Sequence, residues 1–169
     1  MEVQQLDAQL VEICERDFHK MGPAQAARTG MFHRLMKEQE NDESVTFVAH
    51  ENGEYAGHSV VVWKTDYPHF VDQDIPEIQN LNVLPDYRRR GVGTALITRC
   101  EEEVSTRSDV VGIGVGLHPG YNNAQKLYPK LGYIPDGHGV HYGITPVQEG
   151  ERPIFDDDLA LFFTKRLKE

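Results

Sequence analysis

The stretch NVLPDYRRRGVGTALITRC, Asn82 to Cys100, sets three consecutive arginines against a Gly-x-Gly pair and then passes into a helical pattern. Val92, Leu96, Cys100 and Val104 recur at every fourth residue, so the spacing predicts an amphipathic helix after Gly91 with Cys100 on its core face. A helix N-terminus exposes unpaired N–H groups and carries roughly half a positive charge, and glycine lets the backbone approach a phosphate without a Cβ in the way. Arg88, Arg89, Arg90, Gly91 and Gly93 therefore suit a pyrophosphate. Taken alone they fit a solvated charge run before a tight turn equally well, so the surroundings must decide. Two other phosphate loops are excluded: no Lys-Ser or Lys-Thr follows a G-x-x-x-x-G, and no third glycine completes G-x-G-x-x-G.

Upstream, Glu77 to Leu84 reads as a strand with a bulge where the apolar alternation slips near Asn80 and Leu81. Before it, two β-rich runs flank Asn52-Gly53, the dipeptide of a type I′ hairpin turn. The chain opens with a short edge strand, EVQQL, and a helix capped by Asp7 that carries Leu10, Ile13, Cys14 and Phe18. A second helix is expected from Pro23, with Met31, Leu35 and Met36 inward, until ENDES stops it. Downstream, VVGIGVGL reads as a buried strand, NNAQKLYPKLG as a helix ending near Gly132, and LALFFTKRL as a last strand. The order is mixed α/β with a βαβ crossover at the arginine stretch.

A length of 169 residues matches one domain, 1–169, that can bury its own core. Seventeen Lys and Arg against 27 Asp and Glu give a net charge of −10, which argues against nucleic acid and anionic membranes as partners. Cys14 and Cys100, far apart and on apolar helix faces, form no disulfide framework and are poor nucleophiles. The N-terminal residues contain no apolar run suited to a signal peptide or membrane span, so a cytoplasmic location is expected.

The unit LNVLPDYRRRGVGTALI, followed one strand later by A-x-x-L-Y-x-x-L-G-Y from Ala124 to Tyr133, resembles the GNAT superfamily of acetyl-CoA-dependent N-acetyltransferases. The likeness is close from Glu77 to Gly137, and the hairpin before it and DDDLALFFTKRL after it fit the same strand order. It implies a mostly antiparallel twisted sheet with a central parallel pair splayed around the cofactor, and helices on both faces. Acetyl-CoA is then the co-substrate. Its pyrophosphate sits on the loop Arg88, Arg89, Arg90, Gly91, Val92, Gly93 and Thr94, and its pantetheine pairs with backbone around Leu81, Asn82 and Val83. The Leu81 N–H would face the thioester carbonyl, where a preorganised donor stabilises an oxyanion by several kcal/mol. A homodimer is a family-level expectation.

The resemblance further assigns Tyr128 as general acid to the leaving thiolate, a phenol of reference pKa about 10 being suited to that donation. Glu77, at the head of the bulged strand, is the expected base for the amine, with His118 and ordered water as rivals. The family usually has an asparagine seven positions before the tyrosine; here Tyr121 stands there, and Asn122 either takes over its cofactor contact or leaves the pantetheine to the backbone.

For the acceptor, Asp66, Asp72, Asp74, Asp156, Asp157 and Asp158 would favour a cationic amine, and Trp63, Tyr67, His69 and Phe70 could form an aromatic wall. The segment from Pro135 to Asp158 is expected to cover that side. His138 and His141 lack a third ligand at metal spacing, so no metal is expected. The expected function is acetyl transfer to a primary amine of a small molecule by direct attack in a ternary complex. The alternatives are a protein or peptide acceptor, or a coenzyme A-binding module without turnover.

Overall fold

The computed structural model describes residues 1–168. In chain order the elements are β1 (Glu2–Gln5), α1 (Ala8–Asp17), α2 (Pro23–Ala26), α3 (Met31–Glu40), β2 (Ser44–Glu51), β3 (Glu54–Val62), α4 (Pro68–Val71), β4 (Glu77–Val83), α5 (Val92–Val104), β5 (Val110–Gly116), α6 (Asn122–Lys130), β6 (Ile134–Tyr142), β7 (Thr145–Pro146) and β8 (Leu159–Arg166). They form two compact units, Met1–Trp63 with Ile78–Glu103, and Lys64–Glu77 with the chain from Val104 on.

In the first unit the strands run in the order β1-β2-β3-β4. The β2–β3 hairpin turns at Asn52 and Gly53, both left-handed (φ 53° and 75°), as a type I′ turn requires. Asp7 caps α1 by accepting the Leu10 N–H at 2.8 Å. Leu10 and Cys14 from α1 and Phe18 just after it then meet Phe32 and Leu35 from α3 and Val48 and Tyr55 from the hairpin in one apolar core. Each large side chain so buried contributes about 1.5–3 kcal/mol. One expectation fails here: the helix from Pro23 is broken, because Gly30 adopts φ 76° and divides α2 from α3. Met31 and Leu35 are buried as expected, while Met36 only flanks the core.

Val92, Leu96, Cys100 and Val104 are all buried along α5, which confirms the four-residue period. In β4, Asn80 takes a left-handed conformation (φ 54°) and interrupts the alternation where the bulge was expected.

The second unit orders its strands β5-β8-β6-β7, all antiparallel. Just before β4, the Pro76 carbonyl accepts the Gly112 N–H of β5 at 2.9 Å. Tyr67 stacks on Phe162 at 3.7 Å between centroids, with Phe70 edge-on and Ile75 beside them. The segment from Pro135 to Asp158 is not a free cover: its first part lies in β6, paired with β8 and irregular between Pro135 and Val140. The Val140 and His141 pairings to β8 bury His141, which an exposed lid would not do. Among the described residues no helix is long and apolar enough to cross a membrane.

Candidate active site

At the start of α5 the backbone is left-handed at Arg89 (φ 58°) and at Gly91 (φ 83°). The Gly91 carbonyl accepts the Ala95 N–H at 3.0 Å, so the amides of Val92, Gly93 and Thr94 precede the first intrahelical bond. Nothing lies within 4 Å of the point where a Cβ on Gly91 would sit. Alternating backbone hands followed by an open helix start make a concavity of N–H groups suited to an anion.

The three arginines are not equivalent. Arg88 donates from Nε to the Val83 carbonyl at 3.1 Å, tying the loop to the end of β4. Arg90 meets the Glu51 carboxylate at 3.0 Å, lies over the Tyr87 ring, and holds the Glu51 carboxyl below its ordinary range. Arg89 is exposed and makes no ion pair among the described residues. The loop's uncommitted charge is therefore Arg89 together with the amides. Leu81, Asn82 and Val83 are half-buried at the end of β4, where the Asn82 amide donates to the Asn80 carbonyl at 2.9 Å and braces the bulge.

In the second unit Tyr128 is buried in α6, 4% exposed, with the Tyr133 ring 6.0 Å away. Burial pushes its phenol well above the ordinary value, so it holds its proton at any neutral pH. Glu77 is also buried, and the Thr65 hydroxyl donates to its Oε2. Thr65 Oγ1 in turn accepts the Tyr67 N–H at 3.2 Å. Sequence reasoning missed Thr65, since nothing in a loop threonine 12 residues upstream marks it as the carboxylate's partner.

His118 has a different fate from the one expected of a rival base. Its Nδ1 accepts the Gly120 N–H at 3.0 Å, and its Nε2 lies 2.6 Å from the Asp157 carboxylate. With Nδ1 accepting, the proton sits on Nε2 and points at Asp157. Both nitrogens are thus committed. Tyr121 closes the same turn, its ring covering Gly116 so tightly that a methyl there would overlap it. Asn122 is exposed as the first residue of α6.

The loop aromatics do not form the expected wall. Tyr67 and Phe70 are core residues at 1% exposure, and the Tyr67 hydroxyl donates to Asp136 at 2.6 Å. His69 stacks on His138 at 3.5 Å. Of the acidic residues, Asp156 accepts the Tyr142 hydroxyl at 2.9 Å and Asp157 meets His118, so these two are structural. Among the described residues no group of three or more His, Cys, Asp or Glu is arranged to hold a metal. Cys14 and Cys100 are fully buried; burial pushes the Cys100 thiol up to about 12 and Cys14 higher still.

A model of the acetyltransferase (GNAT) family matches residues 8–133, three quarters of the chain and every element from α1 to α6. The chain belongs to that family. An uncharacterized N-acetyltransferase of Bacillus subtilis (strain 168), YhfO, is 32% identical over 108 residues, 61% of this chain and 67% of its own. Two solved structures share the fold at low identity. An aminoglycoside 6′-N-acetyltransferase in complex with coenzyme A has a TM-score of 0.66 at 17% identity, covering 100% of this chain and 98% of its own. The ribosomal-protein-S18-alanine N-acetyltransferase of Escherichia coli has a TM-score of 0.66 at 18% identity, covering 99% and 94%. As a GNAT N-acetyltransferase the chain is an acyltransferase, of a family that uses acetyl-CoA and acts on amines. Its neighbours are named for unlike acceptors, so the fold does not specify the acceptor.

Proposed function

We propose that this chain moves the acetyl group of acetyl-CoA to a primary amine of a small molecule, by direct attack in a ternary complex. The observation that carries the reading is the open start of α5, where left-handed Arg89 and Gly91 leave the first amides of the helix uncovered beside an unpaired guanidinium. That set fits a pyrophosphate, and the coenzyme would supply an acetyl group activated as a thioester. One domain would span the chain, since the family match runs through parts of both units.

In this reading Arg88 to Thr94 hold the phosphates, and Leu81, Asn82 and Val83 offer backbone to the pantetheine, with Asn122 as a further polar contact. The Leu81 N–H donates to the carbonyl oxygen as negative charge develops there. The amine nitrogen bonds to the acetyl carbon, the carbon–sulfur bond breaks, and Tyr128 passes its proton to the departing sulfur. Burial suits Tyr128 to this role because it keeps the phenol protonated until a thiolate appears. Glu77 takes the proton that the amine loses, directly or through water, with the Thr65 hydroxyl fixing its carboxylate. A covalent acetyl-enzyme is disfavoured, both cysteines being buried and protonated.

Thiol release from acetyl-CoA across a panel of amino acids, polyamines, aminoglycosides and peptides tests the reading. Turnover with a small amine is expected, slowed about tenfold or more by Glu77→Gln at neutral pH. Cofactor-dependent thermal stabilisation without thiol release from any amine would instead indicate a binding module.

A further inference from the structure

Beside the β4 bulge the first unit holds a cavity of about 370 Å³ lined by Arg28, Thr29, Gly30, Met31, Arg34 and Asn80. In a chain of net charge −10, two of its six lining residues are cations and none is a carboxylate. Arg28 is exposed and has no counter-ion among the described residues. Its charge adds to the burial that pushes His58 down to about 3, so that interior imidazole stays neutral. Arg34, itself exposed, pairs only with its half-buried helical neighbour Glu38 at 3.4 Å, a pairing worth little in water. The nearest helix start is already satisfied: Glu15 accepts the Gly30 N–H at 2.9 Å and the Phe32 N–H at 2.7 Å. Any oxyanion in the cavity would therefore fall to the two guanidinium groups and the Thr29 hydroxyl.

The position of Asn80 gives the cavity its meaning. It is the left-handed residue of the bulge, and it immediately precedes Leu81, the amide read above as the donor to the thioester carbonyl. We propose that the cavity is the acceptor subsite and that the acceptor is an anionic amine, one carrying a carboxylate or phosphate that Arg28 and Arg34 hold while its amino group lies toward Leu81. The inference rests on the acetyl-transfer reading, and it reverses the expectation, drawn from the acidic loops, of a cationic acceptor. A guanidinium pair suits the task because each can present two parallel N–H groups to one oxyanion. A polyamine or aminoglycoside would meet two like charges there.

The test pairs each anionic amine with its neutral counterpart: amino acids against their amides, and phosphoethanolamine against ethanolamine. Wild type is set beside Arg28→Ala, Arg34→Ala and the lysine variants. Turnover is followed by thiol release, and binding by calorimetry of the same amines with the enzyme saturated in coenzyme A. The expected result is at least tenfold higher kcat/KM for one anionic member over its counterpart, lost through KM in either alanine variant and partly regained with lysine. Carboxylate and phosphate arms separate the two sources of the oxyanion. Preference for neutral amines or polycations, or alanine variants that slow every amine alike, overturns the inference and leaves acetyl transfer standing. If no amine turns over yet an anionic one binds in an Arg28-dependent way, the cavity assignment holds and the transfer reading fails. Absence of both turnover and binding by every anionic amine overturns the inference.

Discussion

Two turns that lead into helices in this molecule are built from similar material and end in opposite states. The turn into α5, Arg88 to Gly91, and the turn into α6, His118 to Tyr121, are both short, both follow a strand, and both carry side chains able to hold a positive charge. Before α6, His118 satisfies the Gly120 N–H, Asp157 takes the imidazole's other nitrogen, and the Tyr121 ring fills the space over Gly116. Before α5, left-handed Arg89 and Gly91 carry the chain past the first amides without covering them. His118 caps the turn Pro119–Tyr121 and not α6, which begins at Asn122 with no side-chain cap; a turn that satisfies its own N–H groups has fewer left to offer an anion. An open one keeps its N–H groups for a ligand.

The largest effect should come from beyond the closed turn, where α6 carries Tyr128. Tyr128→Phe should lower kcat by about 10²- to 10⁴-fold, with acetyl-CoA affinity unchanged by calorimetry. Because the phenol's folded-state value is raised above about 10, the neutral donor form persists through alkaline pH, and kcat should show no falling limb due to this group below pH about 10. A wild-type limb near pH 9 that vanishes in the variant would show Tyr128 acting as the acid with its proton held less tightly than burial implies, whereas an unchanged kcat in the variant would break the acid assignment. Next in size is the open turn itself. Gly91→Val places a β-branched residue at φ 83°, a strain of about 1–3 kcal/mol, and should raise KM for acetyl-CoA about tenfold while altering kcat little. An unchanged KM would mean that the loop geometry is not used by the cofactor.

The open turn was legible because it is local: the arginines, the glycines and the four-residue period of α5 lie within one continuous stretch, and propensity and capping rules act at that range. The hairpin at Asn52-Gly53 and the cap at Asp7 were legible for the same reason. What escaped was made by contacts distant in sequence. His118 looked like a titratable base until Asp157, 39 residues on, took its second nitrogen. Tyr67 and Phe70 looked like loop aromatics until Phe162 supplied the surface on which they are core. The Thr65 hydroxyl on Glu77 and the pairing of Arg28 with Arg34 beside Asn80 carry no motif at all. The break at Gly30 and the short helix α4 at Pro68 are local features missed; a single glycine inside a helical pattern is tolerated at a cost and does not by itself mark an interruption.

The smallest predicted effect is the sharpest test of the comparison, because it concerns a residue that chemistry alone would rank highly. If His118 serves the turn and not the reaction, His118→Ala should cost a cap of about 1 kcal/mol and lower Tm by about 2–4 °C. The ion pair adds little, as Asp157 is 79% exposed. His118→Asn, which can still cap the Gly120 N–H, should recover part of that loss. In both variants kcat should remain within about twofold of wild type, since general-base catalysis is worth about 10² or more where it operates. A loss of that larger size in His118→Asn, with Tm near wild type, would show that the closed turn opens during turnover and frees the imidazole. The turns into α5 and α6 would then differ only in when they are open, and Glu77 would lose its place as base.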